Sequence, residues 1–587
     1  MKEFGLSRTR RVRMSKNKEL AEIFARIADA LEFRGEMAFK VIAYRKAARV
    51  LEDLTEDIEK IAQEGKLQSL PGIGEGIAKK IEEYLKTGRM KKYEEAIKGI
   101  PEGLLELLNI QNLGPKTLAL AHRELGVKNL SDLKRVIEDG SLEKLFRMGE
   151  KKVENIKKGI ELYEMGKSRI PLDQALKIAE ELCEYLRKNP LIKNLSPSGS
   201  LRRMKETVGD IDILVTGDDG TKIIDYFTKY PKASRIIAQG ETKGSIIVGT
   251  GKDARQVDIR VVPEKSFGAA LQYFTGSKAH NIKLRLLAKE KGLKISEYGV
   301  FRGERFIAGR TEEEVYKILG LPYIPPELRE DRGEIEAGLK NRLPKLIEYN
   351  SIKGDLQVHT TYSDGNATIE EVCELAEKIG YEYIAITDHS KSVRYAHGLD
   401  EKRLEKQIGE IEKMRQKTKV KILSGIEVDI LADGTLDLSD EVLSRLDVVV
   451  AAVHQGFKKN VTERIMRAIE HPLVAIIAHP SGRLISRREG YEVNLEKVLE
   501  WAKRYNKVLE LNAYPDRLDL DELHLRKAKE MGVKICINTD AHGLADMYWM
   551  RFGIGIARRG WLEEDDVINT LPYEKLLRLL KSLRRTK

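Results

Sequence analysis

Apolar positions recur at helical spacing from Lys16 to about Ile97, with Leu20, Ile23, Phe24, Ile27 and Leu31 tracing one face. Proline and glycine interrupt the pattern in Leu70-Pro71-Gly72-Ile73-Gly74-Glu75-Gly76-Ile77-Ala78-Lys79-Lys80-Ile81, which predicts a tight turn and a new helix after Gly74. A second copy spans Leu108–Ala119 through Gly114, Pro115 and Lys116, and a weaker third spans Leu145–Val153. The period then changes to two. Alternation over Asp210–Leu214 and over Val257–Val262 predicts two strands. After Tyr323-Ile324-Pro325-Pro326 the chain is charged and poorly patterned to about Asn350, which predicts a linker with a short helix over Glu334–Leu343. Beyond residue 351, apolar runs at Asp355–Val358, Ile384–Thr387, Ile422–Gly425, Val448–Val453, Ala475–Ala478, Val508–Leu511 and Ile535–Asn538 alternate with helical stretches. That order predicts repeated β/α units and a barrel-like parallel sheet.

Length adds a soft prior of about four domains to 587 residues. Mean hydropathy is −0.40, and no apolar run approaches the ~18–20 residues of a membrane span. No apolar segment of the secretory kind follows the basic start. Cys183, Cys373 and Cys536 stand far apart with no CxxC pair, which excludes a disulfide framework or cysteine-based zinc finger and fits a reducing cytoplasm. The net charge of +11 is uneven: residues 1–330 carry +12 and the remainder −1. A polyanion partner is expected at the basic part, although a solvated Lys/Glu-rich surface of the hyperthermophile kind gives the same arithmetic. Residues 1–14 hold Lys2, Arg8, Arg10, Arg11 and Arg13 and read as a disordered basic arm, while Met14 stands beside Met1 as a second candidate start.

Three groups of residues carry chemistry. A glycine turn before a helix exposes backbone N–H groups to phosphate, and the copies at Gly72/Gly74 and Gly114/Lys116 read as helix-hairpin-helix grips on the DNA backbone. No strand precedes the glycines, so a Rossmann reading fails. Next, Ser198-Gly199-Ser200-Leu201-Arg202-Arg203 leads into Gly209-Asp210-Ile211-Asp212, where i, i+2 spacing puts two carboxylates on one strand face. With Asp258 on the other strand, three carboxylates suit two Mg²⁺ ions and in-line phosphoryl displacement. The third group lies at the C-terminal ends of the later strands, the rim where β/α barrels gather their active sites: His359, Asp388-His389, Glu427, His454, His479 and Asp540-Ala541-His542. Mixed N and O donors there suit Mn²⁺ or Zn²⁺. Arg483 is a candidate phosphate ligand, and His397, His471 and His524 lack a strand-end position.

Residues 15–325 resemble a family X DNA polymerase of the DNA polymerase beta type, on Leu70–Ile81, Gly199–Val215, Val257–Pro263 and Tyr273–Asn281. The resemblance implies a lyase-like helix-hairpin-helix domain over 15–97, fingers over 98–168, a nucleotidyltransferase palm over 169–263 and a thumb over 264–325, followed by a linker over 326–350. It implies that Asp210 and Asp212 hold both palm metals and that Asp258 binds the catalytic one and serves as general base. Arg169, Gly199, Ser200, Arg203 and Gly209 resemble triphosphate contacts. Tyr273, Phe274 and Gly276 resemble the segment lining the sugar, and Asn281 and Arg285 resemble contacts to the nascent pair. Lys80 occupies the position of the family's Schiff-base lysine, with Lys40 and Tyr44 matching its pocket; Lys79 beside it should lower its pKa. Gly76 replaces a phosphate-binding lysine, so a phosphate clamp is an equal reading of Lys80.

Residues 351–587 resemble the PHP (polymerase and histidinol phosphatase) domain, a distorted (β/α)7 barrel with up to three metals. The pattern falls on His359, His389, Glu427, His454, His479, Asp540 and His542, with Asp364 close by. It departs at Gln357-Val358-His359, where the family begins H-x-H, and glutamine is a weaker, neutral ligand. The expectation is a multidomain, monomeric, cytoplasmic repair enzyme. It would fill gaps in gapped or nicked DNA from dNTPs and process 3′ ends with a Mn²⁺-dependent 3′–5′ exonuclease; cutting at abasic sites and 5′-deoxyribose-phosphate lyase activity are further options. A nucleotidyltransferase with a non-DNA substrate and a polymerase with a purely structural PHP half are the alternatives.

Overall fold

The computed structural model describes residues 16–584 except 102, 111–112, 147, 165–168 and 251–253. The basic arm, Gln111 and Asn112 of the second repeat and Arg147 of the third lie outside the described residues. The chain forms two compact units that divide between Ser168 and Arg169. Among the described residues no helix is long and apolar enough to cross a membrane.

The first unit is helical. Its apolar stripes close into two cores, one around Leu20, Phe24, Ile27 and Ile81, the other around Leu104, Leu118, Leu133 and Ile156. The three glycine repeats fold alike. Ile73, Leu113 and Met148 each donate their backbone N–H to the carbonyl three residues earlier, just ahead of a helix: Glu75–Thr87, Pro115–Leu125 and Glu150–Glu164. The weak third copy thus closes with the same backbone hydrogen bond as the strong pair.

The second unit begins with a five-stranded sheet. Ile211–Gly217 pairs antiparallel with Ile192–Pro197 and parallel with Arg255–Val261, and Lys243–Val248 and Ala233–Gln239 complete the order. A helical and hairpin region follows, with its own core at Leu284, Val300, Tyr316, Leu328 and Ile335. Here the structure departs from the expected linker: Arg329 is completely buried and the helix Glu334–Leu339 packs its Ile335 into that core. Charge hid this, because Arg329 is buried on the strength of a distant partner, Glu312, 2.5 Å away.

The last region is a seven-stranded parallel sheet in sequential order, closed by a bridge from Val358 to Ala541. Its strands are buried on both faces, which explains their unbroken apolar runs. The i, i+2 rows change character along their length: Val508 leads to Glu510 and Asn512, and Cys536 to Asn538. One end of the barrel is therefore apolar, where the helix Tyr573–Leu583 packs Leu576, Leu580 and Leu583 against it. The other end collects the polar side chains.

Candidate active sites

The hairpin helices of the first unit begin at Gly74 and Gly114 with no side-chain cap, so their first N–H groups remain for a ligand, and Gly74, Gly114 and Lys116 are exposed. Gly72, at positive φ, makes the turn. Lys80 reaches back over this end: its Nζ donates to the Gly76 carbonyl at 2.7 Å and lies 5.9 Å from the centre of the Tyr44 ring. Burial lowers its proton affinity first and Lys92 adds to the effect. Lys79, expected to be the cause, is instead tied to Glu75 at 2.6 Å on the exposed face. Lys40 is paired with Glu36 at 2.9 Å.

In the palm, strand pairing puts Asp212 directly beside Asp258. Burial, then Asp210 and Asp258, raise the Asp212 carboxyl well above the usual range. Asp258 accepts hydrogen bonds from Ser245 Oγ and Gln256 Nε2, both 2.7 Å, and Lys243 Nζ lies 3.1 Å away. Gly199 has φ +66°, and a Cβ there would fall 2.7 Å from Asp212 Oδ2, so the Gly199-Ser200 turn is laid against the carboxylates. Arg169 donates to Thr207 Oγ1 at 2.8 Å and flanks Gly209. Arg203 donates to the Thr275 carbonyl and, at 3.0 Å, to Glu330. Phe274 meets Tyr273 edge to face, Gly276 ends their helix at positive φ, and Asn281 Nδ2 donates to the Tyr273 carbonyl at 2.7 Å. Asn281 thus holds the Tyr273–Gly276 segment in place, while Arg285 donates back within its own helix, to the Asn281 carbonyl. A mutually repelling carboxylate set, with Asp258 buried, Asp212 half-buried and Asp210 exposed, is what two hard cations would satisfy.

At the polar end of the barrel, loops from every strand converge. His359 Nε2 lies 3.0 Å from Asp540 Oδ1. Glu427 sits centrally, with His389 Nδ1 at 2.9 Å, His479 Nε2 at 3.0 Å and His454 Nε2 at 3.4 Å. Burial alone would raise the Glu427 carboxyl, but His454 and His389 hold it well below the usual range. Three overlapping donor groups form: His359, Asp364, His389 and His542; His389, Glu427 and His454; and His359, Glu427 and Asp540. His479 adjoins them through Glu427. Both ring nitrogens of His359, and Oε1 of Gln357, are buried without a hydrogen-bond partner. Close approach without hydrogen bonding is what ligands around a cation look like, so the residues present fit metal ions.

Sequence comparison then fixes the family. Family models match the helix-hairpin-helix domain at residues 15–90, the DNA polymerase beta thumb at 270–330 and the PHP domain at 355–514. Over 96% of this chain and 99% of the relative, the sequence is 41% identical to the DNA polymerase/3′-5′ exonuclease PolX of Bacillus subtilis. The chain belongs to the PolX family. DNA polymerase lambda of Rattus norvegicus shares 27% identity over 54% of this chain and 56% of its own. A probable phosphatase of Thermoanaerobacter shares 34% over 39% of this chain and 96% of its own.

Within this PolX-family chain, the structure does not bring Arg483 to the metal donors. Its guanidinium donates to the carbonyls of Arg517 and Leu518 and pairs with Glu206 at 2.8 Å. The arginine beside the cluster is Arg517, with Nε 3.7 Å from Asp540 Oδ2 and a buried, unpartnered Nη1. Sequence reasoning missed it, although it stands on the loop after the strand Val508–Asn512, where the strand-end rule points. Asp429 was missed as well; it lies 3.4 Å from His454 Nδ1 and accepts the His454 backbone N–H at 2.9 Å.

Proposed function

We propose that this chain is a cytoplasmic, monomeric repair polymerase that fills short gaps in duplex DNA from dNTPs and trims 3′ ends at a separate PHP site. The observation that carries the reading is the pair of donor sets, Asp212 and Asp258 on two paired palm strands with Asp210 in the bend just before them, and a histidine-carboxylate cluster on the barrel rim, in a chain 41% identical to a PolX over nearly its whole length. Asp210, Asp212 and Asp258 would hold two Mg²⁺ ions, which supply Lewis acidity for phosphoryl transfer. Asp258 takes the proton of the primer 3′-hydroxyl; the new O–P bond forms as pyrophosphate leaves. Ser245, Gln256 and Lys243 orient that carboxylate. Arg169, Gly199, Ser200, Arg203 and Gly209 hold the triphosphate, Tyr273, Phe274 and Gly276 line the sugar, and Asn281 and Arg285 face the new base pair. The hairpins at Gly72, Gly74, Gly114 and Lys116 grip the DNA backbone.

At the barrel, His359, Asp364, His389, Glu427, His454, His479, Asp540 and His542 would hold up to three Mn²⁺ or Zn²⁺ ions, which supply a nucleophile and charge neutralisation for phosphodiester cleavage. Arg517 takes the role of phosphate partner that the sequence suggested for Arg483. Lys80, against Tyr44, serves as the 5′-deoxyribose-phosphate lyase amine, with Lys40 part of its pocket as the resemblance implies, a reading supported by its lowered proton affinity.

The test is a double dissociation on gapped duplex carrying a 5′ phosphate. Asp258→Ala is expected to abolish extension with Mg²⁺ and spare 3′ trimming with Mn²⁺, and His359→Ala to do the reverse. One substitution removing both activities from a folded chain overturns the two-site model. Borohydride trapping of an abasic 5′ end, lost in Lys80→Ala and kept in Lys79→Ala, tests the lyase reading.

A further inference from the structure

The barrel helix Met550–Arg559 touches the palm at the turn that carries Arg203. Arg559 is completely buried, and its guanidinium joins three regions. Nη1 donates to the Arg203 carbonyl at 2.6 Å and to Glu330 at 3.0 Å, and Nη2 donates to Glu522 at 2.7 Å. Glu330 Oε1 also accepts Arg203 Nε at 3.0 Å, so one carboxylate oxygen serves both arginines. Arg332 Nη1, 3.1 Å from Glu522, and Lys205 Nζ, 3.8 Å from it, complete a set of four cations around two carboxylates, Glu522 buried and Glu330 nearly so. One turn earlier on the same helix, Gly555 makes room for the palm: a Cβ there would lie 2.5 Å from Met204 Cε and 3.1 Å from its Cγ. Met204 and the helix residues Ile554 and Ile556 belong to one apolar core.

We propose that the PHP domain positions the palm's triphosphate grip, with Arg559 as the positioning residue. The inference rests on the reading of Arg203 as a triphosphate contact. Arg203 can turn to an incoming triphosphate only if Glu330 does not hold it too tightly. Arg559 shares that carboxylate and fixes the Arg203 backbone. Without it, Glu330 draws Arg203 away from the nucleotide, and dNTP affinity falls while the chemistry, once the nucleotide is bound, is kept. Lysine retains the charge but not the planar fork that reaches three acceptors, so it repairs the loss only in part.

The experiment uses the full chain, filling a single-nucleotide gap. Arg559→Met is expected to raise the dNTP KM about tenfold, the scale of one charged hydrogen bond, with kcat within about threefold and 3′ trimming within about twofold. Arg559→Lys should raise KM about threefold. Gly555→Val, which presses on Met204 and leaves Arg559 intact, should raise it about as much. Adding Glu330→Gln to Arg559→Met should bring KM back to within about threefold of the parent, because the competing charge is gone. A general loss of packing would not give that rescue. If Arg559→Met does not fold, Arg559→Lys and Gly555→Val decide alone: unchanged KM in both overturns the proposal. So does a KM rise that persists undiminished in an Arg203→Lys background. If Arg203→Lys by itself leaves KM unchanged, it is the reading of Arg203 that fails, and the coupling falls with it. If Arg203→Lys raises KM and the Arg559 variants do not, the coupling alone fails.

Discussion

The palm and the barrel rim both gather acidic groups for phosphate chemistry, yet they do so in opposite electrostatic states. In the palm, carboxylates face one another with Lys243 as the close counter-charge, and burial and repulsion push Asp212 toward its neutral form. On the rim, histidines are interleaved with carboxylates, and Glu427 is held ionised by the rings around it. The palm carboxylates would be stabilised by added cations. The rim is assembled beforehand from mutually compensating donors. The palm set depends on added cations for most of its charge compensation, whereas the rim carries part of it in its own histidines.

That contrast can be broken most directly by single ligand changes. Asp212→Asn should lower extension by about 10³-fold, several kcal/mol of lost charge stabilisation, and leave trimming within about twofold. Asp540→Asn should do the reverse, and elemental analysis after gel filtration should find metal lost from that variant only. Equal metal loss from both would erase the distinction. A second prediction concerns acid. Glu312 sits between Arg202 and Arg329, which outweigh its burial and lower its pKa from 4.5 to about 2. The unfolded chain therefore takes up this proton first as pH falls. The contribution, about 3 kcal/mol, is complete above pH 4.5 and is lost as pH drops toward 2. Glu312→Gln should lose it already at neutral pH and show a correspondingly flatter acid limb in denaturant titrations. Arg517→Met should slow trimming about tenfold without altering extension, whereas Arg483→Met should act on stability through Glu206 rather than on trimming. The smallest effect is expected at Gln357: Gln357→His should reduce the Mn²⁺ concentration for half-maximal trimming a few-fold, read as well by calorimetric Mn²⁺ titration of the unreacted protein.

Much of this was legible in the chain itself. Parallel strands buried on both faces announce themselves as unbroken runs such as Val448–Val453, and turn glycines mark helix starts as at Gly74 and Gly114. That His359, His389, Glu427, His454, His479, Asp540 and His542 gather at one end of the barrel followed from one topological rule. What escaped were choices settled by partners far away in sequence. Arg483 and Arg517 are alike as residues, and Arg483 is drawn toward the palm by Glu206, nearly three hundred positions earlier, together with the Arg517 and Leu518 carbonyls. The segment 326–350 reads as a polar linker because the burial of Arg329 depends on Glu312. At Lys80 the direction of the shift was foreseeable but its cause was not, since the exposed ion pair of Lys79 with Glu75 is a side-chain geometry and not a pattern.

The rings of His359 and His542 stack 4.2 Å apart, one from the first barrel strand and one from the loop after the last. As the ribosome delivers the chain from its N-terminus, the palm is complete while His542 is still unmade. The rim cluster is thus completed only long after the three palm carboxylates have been made, and a chain that ended before His542 would hold the palm's carboxylates without the full rim set.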